Sequence, residues 1–246
     1  MTRILAAMLS IAFFAWPFLI SAENAQQANV AQAIFMLLMP LLVALLLTEY
    51  SSGKIDSRQL AVLGVLIALN SVIRLLGAGT AGIETIFFLI LIGAYVFGSG
   101  FGYLLGAGSI AVSALISGGV GPWMPFQMMA AGLLGLLAGS LPKLESKRAQ
   151  VLLLIVTAVI GSFIYGSLMT LWNWPFLAGT GTSISYVPGA NPIENLSRFI
   201  SYEFITGGLL WDLGRAVTTS ILIALTAPAL LTTLSRAARR AGIKQS

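Results

Sequence analysis

The sequence contains no cysteine and no histidine, and charged residues make up only 9% of its 246 residues. Without cysteine the chain cannot form disulfides or use a thiolate as a nucleophile or zinc ligand. Without histidine it lacks the commonest acid–base catalyst and the commonest metal ligand. It also has no GxxxxGK[ST] phosphate loop, which is the usual signal for ATP hydrolysis. We therefore expect no catalytic residue, no metal site and no cofactor.

The sequence is instead rich in apolar residues, which make up 58% of it. Its mean hydropathy is +0.95, a value far above that of soluble domains, so we predict an integral membrane protein. Continuous apolar runs favour helices, because the strands of a membrane barrel alternate apolar and polar residues. Candidate spans lie at 4–20, 30–48, 60–76, 83–97, 101–117, 124–141, 150–172 and 200–232. The predicted fold is all-α.

Two of these apolar stretches are longer than a bilayer requires. Residues 83–117 would form a helix of about 50 Å, against a hydrocarbon core of about 30 Å. We therefore predict a turn at Gly98–Gly102. The span 200–232 is also too long, so its first turns are expected to stand above the bilayer or to tilt.

The basic residues predict the orientation of the chain. If the eight spans alternate, ten of the thirteen basic residues fall on one side: Arg3, Lys54, Arg58, Lys143, Lys147, Arg148, Arg236, Arg239, Arg240 and Lys244. The positive-inside rule then places both termini, including a basic tail at 236–246, in the cytoplasm. On this interpretation the net charge of +5 marks the cytoplasmic side and does not indicate a nucleic-acid partner. Arg74, Arg198 and Arg215 lie toward the outer side and need another explanation.

The N-terminal region, residues 1–50, holds the first two hydrophobic runs. Arg3, the run 4–20 and Ser21–Ala22 also resemble a secretory signal peptide with a cleavage site after Ala22. Both interpretations remain open, and in both of them residue 24 lies outside.

The stretch GGVGPWMPFQMM, residues 118–129, interrupts the apolar pattern on the outer side. A tight turn with Trp123 as an interfacial anchor explains the glycines, the prolines and the tryptophan. It does not explain Gln127, an amide beside Phe126 just inside an apolar helix. Because irregular backbone at membrane depth is tolerated around a polar cavity, we predict that Trp123, Phe126 and Gln127 line one.

More polar and aromatic residues collect on the same side. The loop 173–199 has the composition of a lid, and Trp172 and Trp174 lie at its start, where an aromatic belt at the membrane surface is the alternative. Spacing places Glu203, Trp211 and Arg215 on one face of the last span, with Asp212 beside them. A structural Asp212–Arg215 ion pair is the alternative to a ligand-binding role. For Arg74 and Glu84 we prefer a structural pair.

Small residues form faces on two spans. Ala61, Gly64 and Ala68 lie on one side of 60–76, where docking of a partner protein competes with internal packing. A second face, formed by Ala131, Gly135 and Gly139, is assigned to internal packing. Gly98, Gly102 and Gly106 also match the small-xxx-small pattern but are assigned to the turn.

Residues 57–235 resemble the substrate-binding S component of energy-coupling factor (ECF) vitamin transporters of the actinobacterial type. The resemblance rests on FGYLLGAGSIAVSALISGG at 101–119, GGVGPWMPFQMMAAGLLGLLAGSLP at 118–142 and WDLGRAV at 211–217. It implies a six-helix bundle with both ends in the cytoplasm, and a vitamin or metal-type substrate bound in an outward-facing cavity. It also implies docking on a transmembrane coupling subunit with two ATPases through an Ala-xxx-Ala motif, which is Gly64-xxx-Ala68 here. The two N-terminal spans have no counterpart in the minimal family pattern, and the lack of histidine argues against nickel or cobalt.

The leading hypothesis is a multi-pass cell-membrane protein that binds a vitamin or vitamin precursor. Its predicted pocket residues are Trp123, Phe126, Gln127, Trp172, Trp174, Glu203, Trp211, Asp212 and Arg215, and the predicted coupling interface is Ala61, Gly64 and Ala68. The residues do not distinguish a flavin from a thiamin-like ring or a cobalamin precursor. A structural or assembly membrane protein and an independent secondary transporter remain alternatives, although no inverted repeat supports the latter. On this hypothesis Arg215→Ala abolishes ligand binding and leaves the fold intact.

Overall fold

The protein is described from a computed structural model over residues 2–20, 24–52, 56–77, 82–179 and 181–240, without the side chains of residues 2–6 and 25. Within these residues it forms helices and no strand, which confirms the all-α prediction. The helices are α1 Thr2–Phe14, α2 Trp16–Leu19, α3 Ala25–Ser51, α4 Ser57–Gly77, α5 Phe87–Phe97, α6 Ser99–Ser117, α7 Met124–Gly139, α8 Lys147–Leu171, α9 Trp174–Leu177, α10 Pro192–Ile205 and α11 Gly208–Arg240. The proposed cleavage site at Ser21–Ala22, Lys54 and Lys244 lie outside the described residues.

Five of these helices are long and apolar enough to cross a membrane: α3, α4, α6, α8 and α11. Two shorter apolar helices, α5 and α7, pack among them. The predicted span 83–97 is too long, because α5 has only 11 residues and rises about 16 Å. Residues 87–96 are all buried, since α5 packs against α6, α7, α8 and α11. A helix enclosed in this way needs no polar face, which explains its uniformly apolar sequence.

The turn predicted at Gly98–Gly102 is formed by Gly98 alone. Its backbone has φ +95°, a left-handed value that glycine adopts without steric cost. Gly102 lies inside α6, where it contacts the backbone of Gly135 on α7 so closely that a Cβ on either glycine would overlap the other helix. Gly106 meets the backbone of Ala131 in the same way. The assignment of Gly102 and Gly106 to the turn was therefore wrong, whereas internal packing of the second small face is confirmed.

The predicted span 200–232 consists of two helices, α10 and α11. Asn191 caps α10 by accepting a hydrogen bond from the backbone N–H of Ile193 at 2.9 Å, with Pro192 in the first turn, where its missing N–H costs nothing. The helix ends before Gly207, whose φ of +83° breaks the chain direction. The predicted lid 173–199 is consequently not a continuous loop: it contains α9 and the first half of α10.

Candidate functional site

Three of the predicted pocket residues are buried aromatic side chains, which we call the aromatic cluster: Phe126, Trp172 and Trp174. They belong to two contact groups, one of Phe126 with Trp172 and one of Trp174 with Tyr186 and Phe199. The rings of Phe126 and Trp172 are stacked, with centroids 4.1 Å apart and an interplanar angle of 13°. Trp174 donates from Nε1 to the carbonyl of Ile184 at 3.0 Å and meets Phe199 of α10 at a centroid distance of 5.4 Å. Phe126, Trp172 and Trp174 are all buried. Trp172 and Trp174 are therefore not residues of an aromatic belt, which would face the membrane surface.

The N-terminal segment, defined as residues 2–20, covers this cluster with its own aromatic side chains. Phe14 meets Phe126 edge to face at 5.6 Å, and Phe18 meets Trp174 at 6.3 Å. Trp16 donates from Nε1 to the carbonyl of Trp172 at 2.9 Å and is fully buried. Nothing in the sequence indicated these contacts. They imply that a ligand stacking on the cluster has to displace side chains of the N-terminal segment.

Four ionisable side chains form a second group, which we call the charge cluster: Glu84, Glu203, Asp212 and Arg215. Arg215 donates from Nε to Glu84 at 2.5 Å, from Nη1 to Asp212 and to the carbonyl of Ser162 at 3.4 Å. Its guanidinium lies 5.0 Å from the ring centroid of Tyr165, within the range of a cation–π interaction. The contacts support the structural interpretation of Arg215.

The expected Arg74–Glu84 pair was wrong, because Glu84 accepts from Arg215 instead. Arg74 donates to the hydroxyl of Ser113 on α6 at 2.9 Å. The sequence drew attention to Glu84 because it is an acidic residue just before the apolar helix α5. Its partner lies 131 residues away, and no local pattern could connect the two.

Glu203 is 4% exposed, and neither carboxylate oxygen makes a hydrogen bond within the described residues. Burial raises the pKa of Glu203, although Thr170 and Arg215 both favour its ionised form. The carboxylate lies against Gly208, where a Cβ would overlap it. Because the helix breaks at Gly207, Glu203 and Trp211 do not share a helix face as predicted. Trp211 is 46% exposed, while Asp212 and Arg215 are buried on another side of α11.

The profile of the family described as "ECF transporter, substrate-specific component" matches residues 58–238, more than two thirds of the chain. The chain belongs to this family. No match was found among curated proteins or among solved structures. This ECF substrate-specific component is a multi-pass membrane protein, and the family assigns it to the substrate-binding side of a transporter and not to an enzyme class. Its helices α1–α3 precede the matched region.

The first small face of this substrate-specific component is not used for internal packing. Ala61, Gly64 and Ala68 are all exposed on α4, and no atom lies within 4 Å of the position that a Cβ on Gly64 would take. Large apolar side chains such as Val65 and Val72 flank the face and are exposed as well. The face is therefore free to contact lipid or another membrane protein.

Trp123 and Gln127, the other two residues predicted in GGVGPWMPFQMM, make no side-chain hydrogen bond or ring contact with the aromatic cluster within the described residues. Trp123 is 46% exposed and donates from Nε1 to the carbonyl of Gly119 at 3.3 Å, as expected for an interfacial anchor. Gln127 is partly buried, one residue after Phe126 in the first turns of α7. Of the three residues predicted in this stretch, Phe126 alone has a ring contact with another predicted pocket residue.

Proposed function

We propose that this protein is the membrane-embedded subunit of an ECF-type importer that binds a vitamin or vitamin precursor from the outer side. A transmembrane coupling subunit and two ATPases would supply the energy. The observation that carries the proposal is that the aromatic and charge clusters lie near each other at one end of the family-matched bundle. Gly166 of α8 lies against the carboxylate of Asp212. Trp172, directly after the last residue of α8, stacks on Phe126. The separation of six residues between Gly166 and Trp172 corresponds to about 9 Å of helix.

Such a site has the components that a small heterocycle requires. Buried aromatic rings provide a stacking surface for a flat ring, and the neighbouring charges can orient its polar edge. Within this proposal, the entrance to the ligand pocket is bordered by Trp123 and Gln127 at the start of α7 and by Trp211 at the start of α11. The basic end of the bundle is opposite, where Arg58 donates to the carbonyl of Arg240 at 3.4 Å, as the positive-inside orientation requires.

Mass spectrometry of the detergent-purified protein under non-denaturing conditions tests this function. A stoichiometric organic ligand would support it and identify the substrate. A protein that stays empty after incubation with a panel of vitamins would favour a structural or assembly role. Uptake into liposomes by this chain alone would instead favour an independent secondary transporter.

Phe18→Ala is expected to strengthen ligand binding several-fold, because the ring of Phe18 no longer competes for Trp174. Phe13→Ala is the matched control, since Phe13 lies on the same segment but contacts Phe35 of α3 at 5.2 Å. The dissociation constant of the ligand identified by mass spectrometry is the quantity to compare. Equal constants in the wild type and both variants would show that the N-terminal segment does not compete with the ligand.

Ala68→Leu is expected to block assembly with the coupling subunit without changing ligand affinity, because a bulky side chain prevents close helix approach at the small face. Ala224→Leu is the matched control, because Ala224 is exposed on α11 away from this face. Co-purification of the coupling subunit measures assembly. Retention of the complex by Ala68→Leu would remove the α4 face from the interface.

A further inference from the structure

The charge cluster contains more negative than positive groups. The guanidinium of Arg215 is bonded to the carboxylates of Glu84 and Asp212. The third carboxylate, on Glu203, lies against Gly208, which precedes Asp212 by about one turn of α11. Arg74 is bonded to Ser113 instead. No cationic side chain is therefore bonded to Glu203 within the described residues.

The acceptor atoms without a partner lie on two of the carboxylates. Both carboxylate oxygens of Glu203 and Oδ2 of Asp212 are buried without a hydrogen-bond partner in the described part of the chain. Asp212 is as deeply buried as Glu203. An unpaired carboxylate away from water is costly, and proteins usually provide it with a partner. These oxygens have the acceptor capacity that a bound cation would use.

Helix α10 connects this acceptor to the aromatic cluster. Phe199 contacts Trp174, and Glu203 follows four residues later, so both side chains lie on the buried face of the helix. One helical turn is about 5.4 Å. A ring packed against Trp174 and Phe199 would thus lie about one helical turn from the Glu203 carboxylate. Gly207, with φ +83°, connects α10 to the membrane-spanning helix α11.

We propose that the substrate is an aromatic cation, carrying a protonated amine or a quaternised ring nitrogen, and that Glu203 together with Oδ2 of Asp212 is its counter-ion. This inference rests on the proposed function and specifies the substrate class. A cation on these oxygens gains charge-assisted hydrogen bonds or direct ion pairing. A carboxylate or phosphate in the same place would find no free cation to pair with, because Arg215 is already bonded to Glu84 and Asp212.

Glu203→Gln separates a ligand-binding role from a structural one. The amide keeps the shape of the side chain and removes its charge, so the ligand-free variant is expected to melt at the same or a higher temperature than the wild type. Its affinity for a cationic ligand is expected to fall at least tenfold. Glu194→Gln is the control, because Glu194 lies on the same helix but is exposed and paired with Arg198 at 3.0 Å.

The probes are four vitamins of different charge, tested on the full chain in nanodiscs by ligand-induced shifts in melting temperature. Thiamin and pyridoxamine carry positive groups, riboflavin is neutral and biotin carries a carboxylate. Binding of a cationic probe that is weakened by Glu203→Gln and unaffected by Glu194→Gln would support the inference. Equal binding of that probe to both variants would overturn it, and so would failure of both cations to bind.

The outcomes also separate this inference from the proposed function. If riboflavin or biotin binds and the cations do not, the protein is a substrate-binding subunit and only the charge assignment is wrong. If no probe binds and the chain does not co-purify with a coupling subunit, the proposed function fails as well.

Discussion

Arg215→Ala is expected to destabilise the folded protein by about 3–5 kcal/mol, which is the usual cost of removing one member of a buried ion pair. Arg215 is buried, and it is bonded to Glu84 and Asp212. Removing the guanidinium would leave two more unpaired carboxylates near that of Glu203. The structure therefore changes the expectation drawn from the sequence, in which this variant lost its ligand and kept its fold.

Thermal unfolding in detergent or nanodiscs measures the effect. Glu194→Ala is the control, since it breaks the exposed Arg198–Glu194 pair on one helix, and such pairs contribute about 0.3–0.5 kcal/mol. Arg215→Met combined with Glu84→Gln and Asp212→Asn removes the charges together and is expected to recover much of the lost stability. A folded Arg215→Ala protein with an unchanged melting temperature would contradict the structural role.

Gly135→Val is expected to prevent α6 and α7 from packing and to cost more than about 3 kcal/mol, above the usual range for overpacked cores. The neighbour of Gly135 is the backbone of Gly102, not a flexible side chain. The clash can be relieved only by separating the two helices. We expect most of the variant to be lost from the monodisperse peak in size-exclusion chromatography.

Gly64→Val is the matched control for this substitution. It makes the same change within a membrane-length helix, but at a position with open space around the added side chain. A monodisperse Gly64→Val protein beside an aggregated Gly135→Val protein is the expected result. Aggregation of both variants would mean that the valine itself, and not the contact between α6 and α7, causes the loss. Two monodisperse variants would mean that α6 and α7 tolerate the added side chain.

Gly102 and Gly207 show why the sequence predicted some features and missed others. Gly102 was assigned to a turn because the apolar run 83–117 exceeded the bilayer thickness, and Gly98 alone turned out to be sufficient for that turn. Gly207 is followed by Gly208, and a Gly-Gly pair is a local signal for a turn. The prediction of one continuous span did not use it, because glycine is tolerated within membrane helices.

The candidate site was only partly predictable for a similar reason. Phe126, Trp172 and Trp174 could be selected as aromatic residues near one end of the bundle. The structure buries all three and stacks Phe126 on Trp172, whereas Trp174 packs in a second group with Tyr186 and Phe199. Glu203 and Trp211 were placed on one face by a spacing of eight residues, an inference that holds only if the helix is continuous. The contacts of Phe14, Trp16 and Phe18 with the cluster join the N-terminal segment to residues far along the chain.

The sequence by itself determined that this protein is an all-helical membrane protein with a small face on α7 for packing, because composition and residue spacing act within one helix. The motifs at 101–142 and 211–217 indicated its family, and the family profile confirms it. Only the tertiary structure decided that Glu84 pairs with Arg215, and that the N-terminal segment covers the aromatic cluster. It also decided that, within the described residues, no group hydrogen-bonds the buried carboxylate oxygens of Glu203. These features depend on contacts between distant segments, and such contacts are set by how the helices pack.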